Sequence, residues 1–97
     1  MKLVTAIIKP FKLEEVKDAL ARIGVEGMTA LEVSGVPHRT EYGRAEFGPR
    51  IQIQIAIEDA HVHDVCETIT REKTGKRGDG ILFVTHLKSL KRVREDF

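Results

Sequence analysis

The sequence predicts an α+β sandwich in which a four-stranded antiparallel sheet carries two helices on one of its faces. Three observations lead there. The stretch RIQIQIAI, residues 50–57, alternates strictly between isoleucine and polar or small residues, the period-2 pattern of a strand buried on one side. Two other stretches repeat apolar residues at spacings of three and four, the signature of amphipathic helices. Finally, the periodic segments follow the order strand, helix, strand, strand, helix, strand. Two βαβ halves of near-equal length in that order make the ferredoxin-like split βαβ sandwich.

The first strand is Lys2 to Lys9, KLVTAIIK, a β-branched run that Pro10 ends because proline offers no N–H to a ladder. Leu13, Val16, Leu20 and Ile23 form the apolar stripe of the first helix, with Glu14, Glu15, Lys17, Asp18 and Arg22 on its wet side. Gly24 follows in the position of a left-handed cap, and Phe11 is expected to pack against this helix. Met28 to Val36 alternates well enough for a second strand, and Arg50 to Ile57 is the third. Asp59 is placed to cap a second helix whose stripe is Val62, Val65, Cys66 and Ile69. Ile81 to Thr85 makes the fourth strand, and residues 88–97 form a basic tail. Gln52 and Gln54 interrupt the isoleucines of the third strand, so the helix-free sheet face is mixed, which suits burial against further copies of the chain.

At 97 residues this is one domain, short enough to leave much of its surface exposed unless it associates with itself. The net charge of +1 gives no overall pull toward nucleic acid or an anionic membrane. Charge is instead local: eight of the 16 basic residues lie between Arg71 and Arg94 (71, 73, 76, 77, 88, 91, 92 and 94), against two acids. A single cysteine, Cys66, rules out an internal disulfide and reads as a small core residue. No charged-then-apolar leader opens the sequence and no apolar run approaches the roughly 20 residues of a bilayer span; the expected location is cytoplasmic, without membrane insertion.

Two segments are more than connectors. Pro37 to Pro49, PHRTEYGRAEFGP, puts 13 residues between central strands where a hairpin needs two to five, and loops of that size in compact domains are usually binding loops or disordered. Residues 74–80, TGKRGDG, offer backbone N–H groups around Gly75, Gly78 and Gly80, with Lys76, Arg77, Arg92 and Arg94 adding charge. That combination suits a phosphate, the alternative being a plain basic turn. It is neither a Walker A loop, since no Ser or Thr follows the Gly-Lys pair, nor the GxGxxG dinucleotide fingerprint.

The segment TGKRGDGILFV closely resembles the signature TGKIGDGKIFV of the PII signal-transduction proteins. The opening MKLVTAIIKPFKLEEVKDALARIGVEGMTALEVSG and the RVR at 92–94 are similar to that family as well, so the resemblance covers nearly the whole chain. It implies a ferredoxin-like homotrimer with an adenine nucleotide in each cleft between subunits. Position by position it implies that Ile7, Gly35, Val36, Gln54, Ile55 and Ala56 help line the cleft. Thr29 approaches the base, and Gly78, Asp79, Gly80, Arg92 and Arg94 approach the phosphates. The long loop becomes the family's T-loop, through which a protein partner is engaged; here that loop offers Thr40, Glu41, Tyr42, Gly43, Arg44, Glu46 and Phe47.

Departures from the pattern refine the expectation. Ile81 stands where the signature has a phosphate-binding lysine, and loss of such a charge-assisted contact, about 1.5 to 3 kcal/mol, favours ADP or AMP over ATP. The adenine-side glutamate is matched by Gln54. The T-loop is shortened, its modifiable tyrosine is matched by Phe47, and Pro37, His38 and Arg39 occupy the stretch where the family keeps a glutamine for magnesium and 2-oxoglutarate. These features resemble divergent PII-like proteins linked to bicarbonate transport or carboxysomes. His38, Arg39, Arg44 and Arg50 could then offer donors to a small oxyanion such as bicarbonate, the alternative being a solvated basic loop.

Other readings are weaker. His61 and His63 are two apart and point to different sides, a poor metal pair, so no metal site is expected. No nucleophile with a base in reach can be identified, so an enzyme is not expected. An RNA-binding module of this topology needs aromatics on its central strands; only Phe83 comes near, so no nucleic-acid partner is expected. The expectation is therefore a regulatory sensor with no obligatory cofactor, reading adenine nucleotides for a transporter, an enzyme or a carboxysome-linked protein. The alternative is a conventional nitrogen-regulatory PII protein.

Overall fold

A computed structural model describes residues 1–35, 48–71, 80–91 and 93. The elements are β1 (Lys2–Ile8), α1 (Leu13–Arg22), β2 (Thr29–Gly35), β3 (Gly48–Ile57), α2 (Val62–Arg71) and β4 (Gly80–His86). The four strands lie in the order β2-β3-β1-β4, and each neighbouring pair is antiparallel. This is the ferredoxin-like arrangement that the order of periodic segments predicts.

The sheet buries one face under the helices because its inward positions are all apolar. Val4, Ala6 and Ile8 of β1 and Ile51, Ile53 and Ile55 of β3 are buried against Val16 and Leu20 of α1 and Val65 and Ile69 of α2. Register explains the match: Val4 pairs with Ile55, Ala6 with Ile53 and Ile8 with Ile51, so a period-2 pattern on both strands falls on the same side. Cys66 packs at the margin of this core, and burial pushes its thiol pKa up, as a small core residue should behave.

The exit from α1 follows its chemistry closely. Gly24 has φ +90°, its N–H donates to Ala21 O at 3.1 Å, and the Val25 N–H donates to Leu20 O at 3.1 Å. This is a Schellman cap, and Val25 completes it by packing on the core. Acids Glu14 and Glu15 in the first turn and Arg22 in the last complement the helix dipole.

Three local expectations change. Phe11 does not pack against α1: it sits in a 3-10 turn, Pro10–Lys12, 67% exposed, with the Lys12 ammonium 5.8 Å from its ring centroid. The turn carries the ring outward before α1 begins. Asp59 makes no side-chain cap. It starts a 3-10 turn, and its carboxylate meets the Met1 ammonium at 2.9 Å and the Lys2 ammonium at 3.0 Å. Those two cations, the terminal ammonium first, hold its pKa down from 3.8 to about 2. Ile23, the last member of the α1 stripe, is largely exposed because the helix ends one residue earlier.

Candidate functional site

The helix-free face is built from the alternate residues of the same strands. Leu3, Thr5 and Ile7 of β1 stand level with Ala56, Gln54 and Gln52 of β3, and with Thr85, Phe83 and Ile81 of β4. Thr29 and Leu31 of β2 continue those rows, paired with Gln54 and Gln52. The face is mixed, as expected, yet it leaves Leu31, Ile81 and Phe83 exposed at 57%, 40% and 44%. Phe83 lies on the edge strand β4 rather than on a central one.

Two pairs of the described site residues stand toward opposite ends of this face. Thr29 pairs with Gln54 at one end, with Ala56 beyond them on β3. Gly35 pairs with Gly48 at the other end, while Ile7, level with Gln52, Leu31 and Ile81, and Gly80, level with Ile8, Ile51 and Glu32, lie between the two. From Thr29 to Gly35 is six steps along a strand, about 20 Å. One chain therefore does not bring the two pairs together. Ile55 is a special case: its side chain is 1% exposed and belongs to the core, so only its backbone is on offer.

At the Thr29 end lies a cavity of about 840 Å³, within the size range of small-ligand pockets. Thr29, Gln54, Ile55 and Ala56 line it, together with the turn Gly24–Met28, Ile57, Glu58, His61, Met1, Leu90 and Lys91. The turn and the tail escape sequence reasoning. The Schellman cap aims the turn at the head of β2, and the Leu87 N–H donates to Met1 O at 3.2 Å, bringing the tail alongside β1. The pairing of Gly24 and Gly27 immediately before Thr29 is the signal that could have marked this turn. Glu26 and Glu58 are matched on this wall by Lys91 and the Met1 ammonium, so it offers no excess of cations to a phosphate and suits an uncharged ring. A smaller cavity of about 110 Å³ adjoins it, sharing Gly24, Val25, Ile57 and His61 and adding Asp64.

At the Gly35 end the two facing glycines make room for an arginine. A Cβ on Gly48 would lie 3.3 Å from Arg50 Nη1, and one on Gly35 would lie 3.9 Å from Arg50 Cγ. Arg50 Nη1 donates to Pro49 O at 2.8 Å. Of the predicted anion-binding side chains, Arg50 is the one described, and it folds across the Gly35–Gly48 pair. Ile81 sits on the open face beside Ile7 and not in the helix-side core. Val36, His38, Arg39, Thr40, Glu41, Tyr42, Gly43, Arg44, Glu46, Phe47, Gly78, Asp79, Arg92 and Arg94 lie outside the described residues.

His63 Nε2 stands 3.2 Å from Glu67 on the outer side of α2, whereas His61 turns to the cavity, so the two histidines do diverge. Among the described residues no helix is long and apolar enough to cross a membrane.

A ferredoxin-like α+β module, with a mixed open sheet face and a ligand-sized cavity at one end of it, is the class that fold and site define. The family described as nitrogen regulatory protein P-II matches residues 1–97, and the chain belongs to that family of signal-transduction regulators. Among similar curated proteins are the nitrogen regulatory protein GlnK of Escherichia coli (strain K12) and the nitrogen regulatory protein P-II 1 of the same strain. Each is 43% identical over 103 residues, covering 97% of this chain and 92% of the relative. P-II 1 of Salmonella typhimurium (strain LT2) matches equally well. The aligned 103 residues exceed the 97 of this chain, so the relatives hold residues that it lacks. Members of the family are regulators rather than enzymes, and act as trimers on partner proteins.

Proposed function

We propose that this protein is a trimeric sensor that binds an adenine nucleotide in each cleft between subunits and reports occupancy to a protein partner through residues 37–49. The observation that carries the reading is the split site. The Thr29–Gln54 pair with its cavity and the Gly35–Gly48 pair stand six residues apart along β2, toward opposite ends of one exposed face. A heterologous, ring-closing contact sets the first end of one copy against the second end of the next. Base and phosphates then meet residues of different subunits, with Gly78, Asp79, Arg92 and Arg94 supplying the anion shell.

Ile81 adds no cation at the phosphate end, so ADP and AMP are favoured over ATP. Calorimetry with AMP, ADP and ATP, combined with light scattering, tests this: ADP binding at one site per chain in a trimer is expected. A monomer, or a trimer that binds none of the three, overturns the reading.

For the setting, the relatives' names favour nitrogen regulation, and a transporter or an enzyme is the kind of partner that this reading takes. The bicarbonate-linked, carboxysome-type alternative rests on His38, Arg39, Arg44 and Arg50. Titrating bicarbonate and 2-oxoglutarate into the ADP complex separates them, since only the effector that belongs to the setting should shift ADP affinity.

A further inference from the structure

Gln54 occupies an unusual place in the cavity. Its strand neighbours Ile53 and Ile55 are buried on the helix side, so its own side chain rises from the open face, flanked by Thr5 across β1 and Thr29 across β2. Met28, Ala56 and Leu90 supply apolar wall nearby. Apolar wall beside an amide, in a cavity with further polar groups on its rim, suits a flat heterocycle whose edge carries polar groups.

The amide brings one donor group and one acceptor, whereas a carboxylate in the same place could only accept. Among the described residues no side-chain hydrogen bond holds the Gln54 amide in one orientation. Its flanking partners are threonine hydroxyls, which rotate to donate or accept. A half-turn of the amide thus exchanges its donor and acceptor positions without leaving a partner unsatisfied.

We infer that the base end of this site accepts both 6-aminopurine and 6-oxopurine nucleotides, with Gln54 as the residue that sets this tolerance. The inference rests on the nucleotide reading proposed above. Toward a 6-aminopurine, Gln54 Oε1 accepts from the exocyclic amine and Nε2 donates to N1. Toward a 6-oxopurine the amide turns over: Nε2 donates to O6 and Oε1 accepts from the N1–H. Sites that discriminate sharply do so because the wrong edge leaves a buried polar group unpaired, and a freely turning amide removes that penalty.

The test uses the full chain and compares ADP with IDP, which changes the substituent at position 6 and the N1 protonation that goes with it, with UDP as control. Wild type is expected to bind ADP and IDP within about tenfold of each other, and UDP weakly. In Gln54→Glu the carboxylate keeps one bond to either purine, accepting from the amine of ADP or from the N1–H of IDP, and sets its other oxygen against the lone pair of N1 or O6, so both should weaken by about tenfold or more while the ADP:IDP ratio stays within about tenfold. In Gln54→Leu both purines should weaken together. A wild type that binds ADP but discriminates against IDP by about 100-fold overturns the inference and leaves the nucleotide site standing. So do purine affinities unmoved by both Gln54→Glu and Gln54→Leu, or UDP bound as well as the purines. If no nucleotide binds wild type, the nucleotide reading falls and this inference with it.

Discussion

The two faces of the sheet are made by the same strands and do different work. On the helix side β1 and β3 present Val4, Ala6, Ile8, Ile51, Ile53 and Ile55, all buried. On the other side the residues between them are Thr5, Ile7, Gln52, Gln54 and Ala56, a mixture that no helix covers. Burial of apolar area stabilises the first face and leaves it little chemical variety. The second is freed from that duty and can hold the polar groups that recognition needs. The covered set and the open set are separated by one residue's step along a strand.

The largest effect should come from breaking the covered face. Ile53→Ala, at a position with 0% exposure, is expected to cost about 2–5 kcal/mol in urea unfolding, by an amount independent of protein concentration. The matching truncation on the open face, Leu31→Ala, should behave differently: its effect should depend on concentration, because it weakens association rather than the core. Equal, concentration-independent losses would mean that the faces are not divided in this way.

Gly24 tests the junction between the two regions, since its cap ends α1 and aims the turn at the cavity. Gly24→Ala places a Cβ at φ +90° and should cost about 1–2 kcal/mol by thermal or urea unfolding, although nothing stands within 4 Å of that Cβ. The strain is conformational, not steric contact. Thr68 sharpens the comparison from the covered side. Its Oγ1 is buried with no partner among the described residues, so Thr68→Val should stabilise by about 1 kcal/mol.

The smallest effect is at Asp59. Its pKa is lowered in the folded protein from 3.8 to about 2, so the pairing stabilises the fold above pH 3.8 and that contribution is lost as pH falls toward 2. Stability measured between pH 5 and 2 should fall less steeply in Asp59→Asn than in wild type. The pair is solvent-exposed, so the difference should shrink in high salt.

The elements were legible in the sequence where periodicity was strong. RIQIQIAI could face a core in only one register, and the stripes Val16–Leu20 and Val65–Ile69 could face only the sheet. Family resemblance singled out Gln54 and Thr29, which line a cavity, whereas the rest of that cavity's lining was not legible. Gly24–Met28 and Leu90–Lys91 belong to a turn and a tail, which carry no period to say which way side chains point. Phe11 shows the same limit, because hydrophobicity alone does not say that a proline-led turn will present the ring to solvent. Asp59 had two chemically reasonable uses, a cap and an ion pair. Choosing between them required knowing that the start of β1 lies beside the start of α2.

If each ligand site joins opposite ends of the open face of two different copies, mixing of subunits should restore binding that each blocked variant lacks. Ala56→Trp obstructs the cavity end and Gly35→Trp the other end, so a homo-oligomer of either should bind no ADP. Unfolded and refolded together, the two variants should recover ADP binding in about one quarter of the clefts by statistical mixing of a heterologous ring, read as calorimetric stoichiometry with the trimer confirmed by light scattering. Mixed trimers that still bind no ADP would contradict the claim, as would either variant binding ADP at one site per chain on its own.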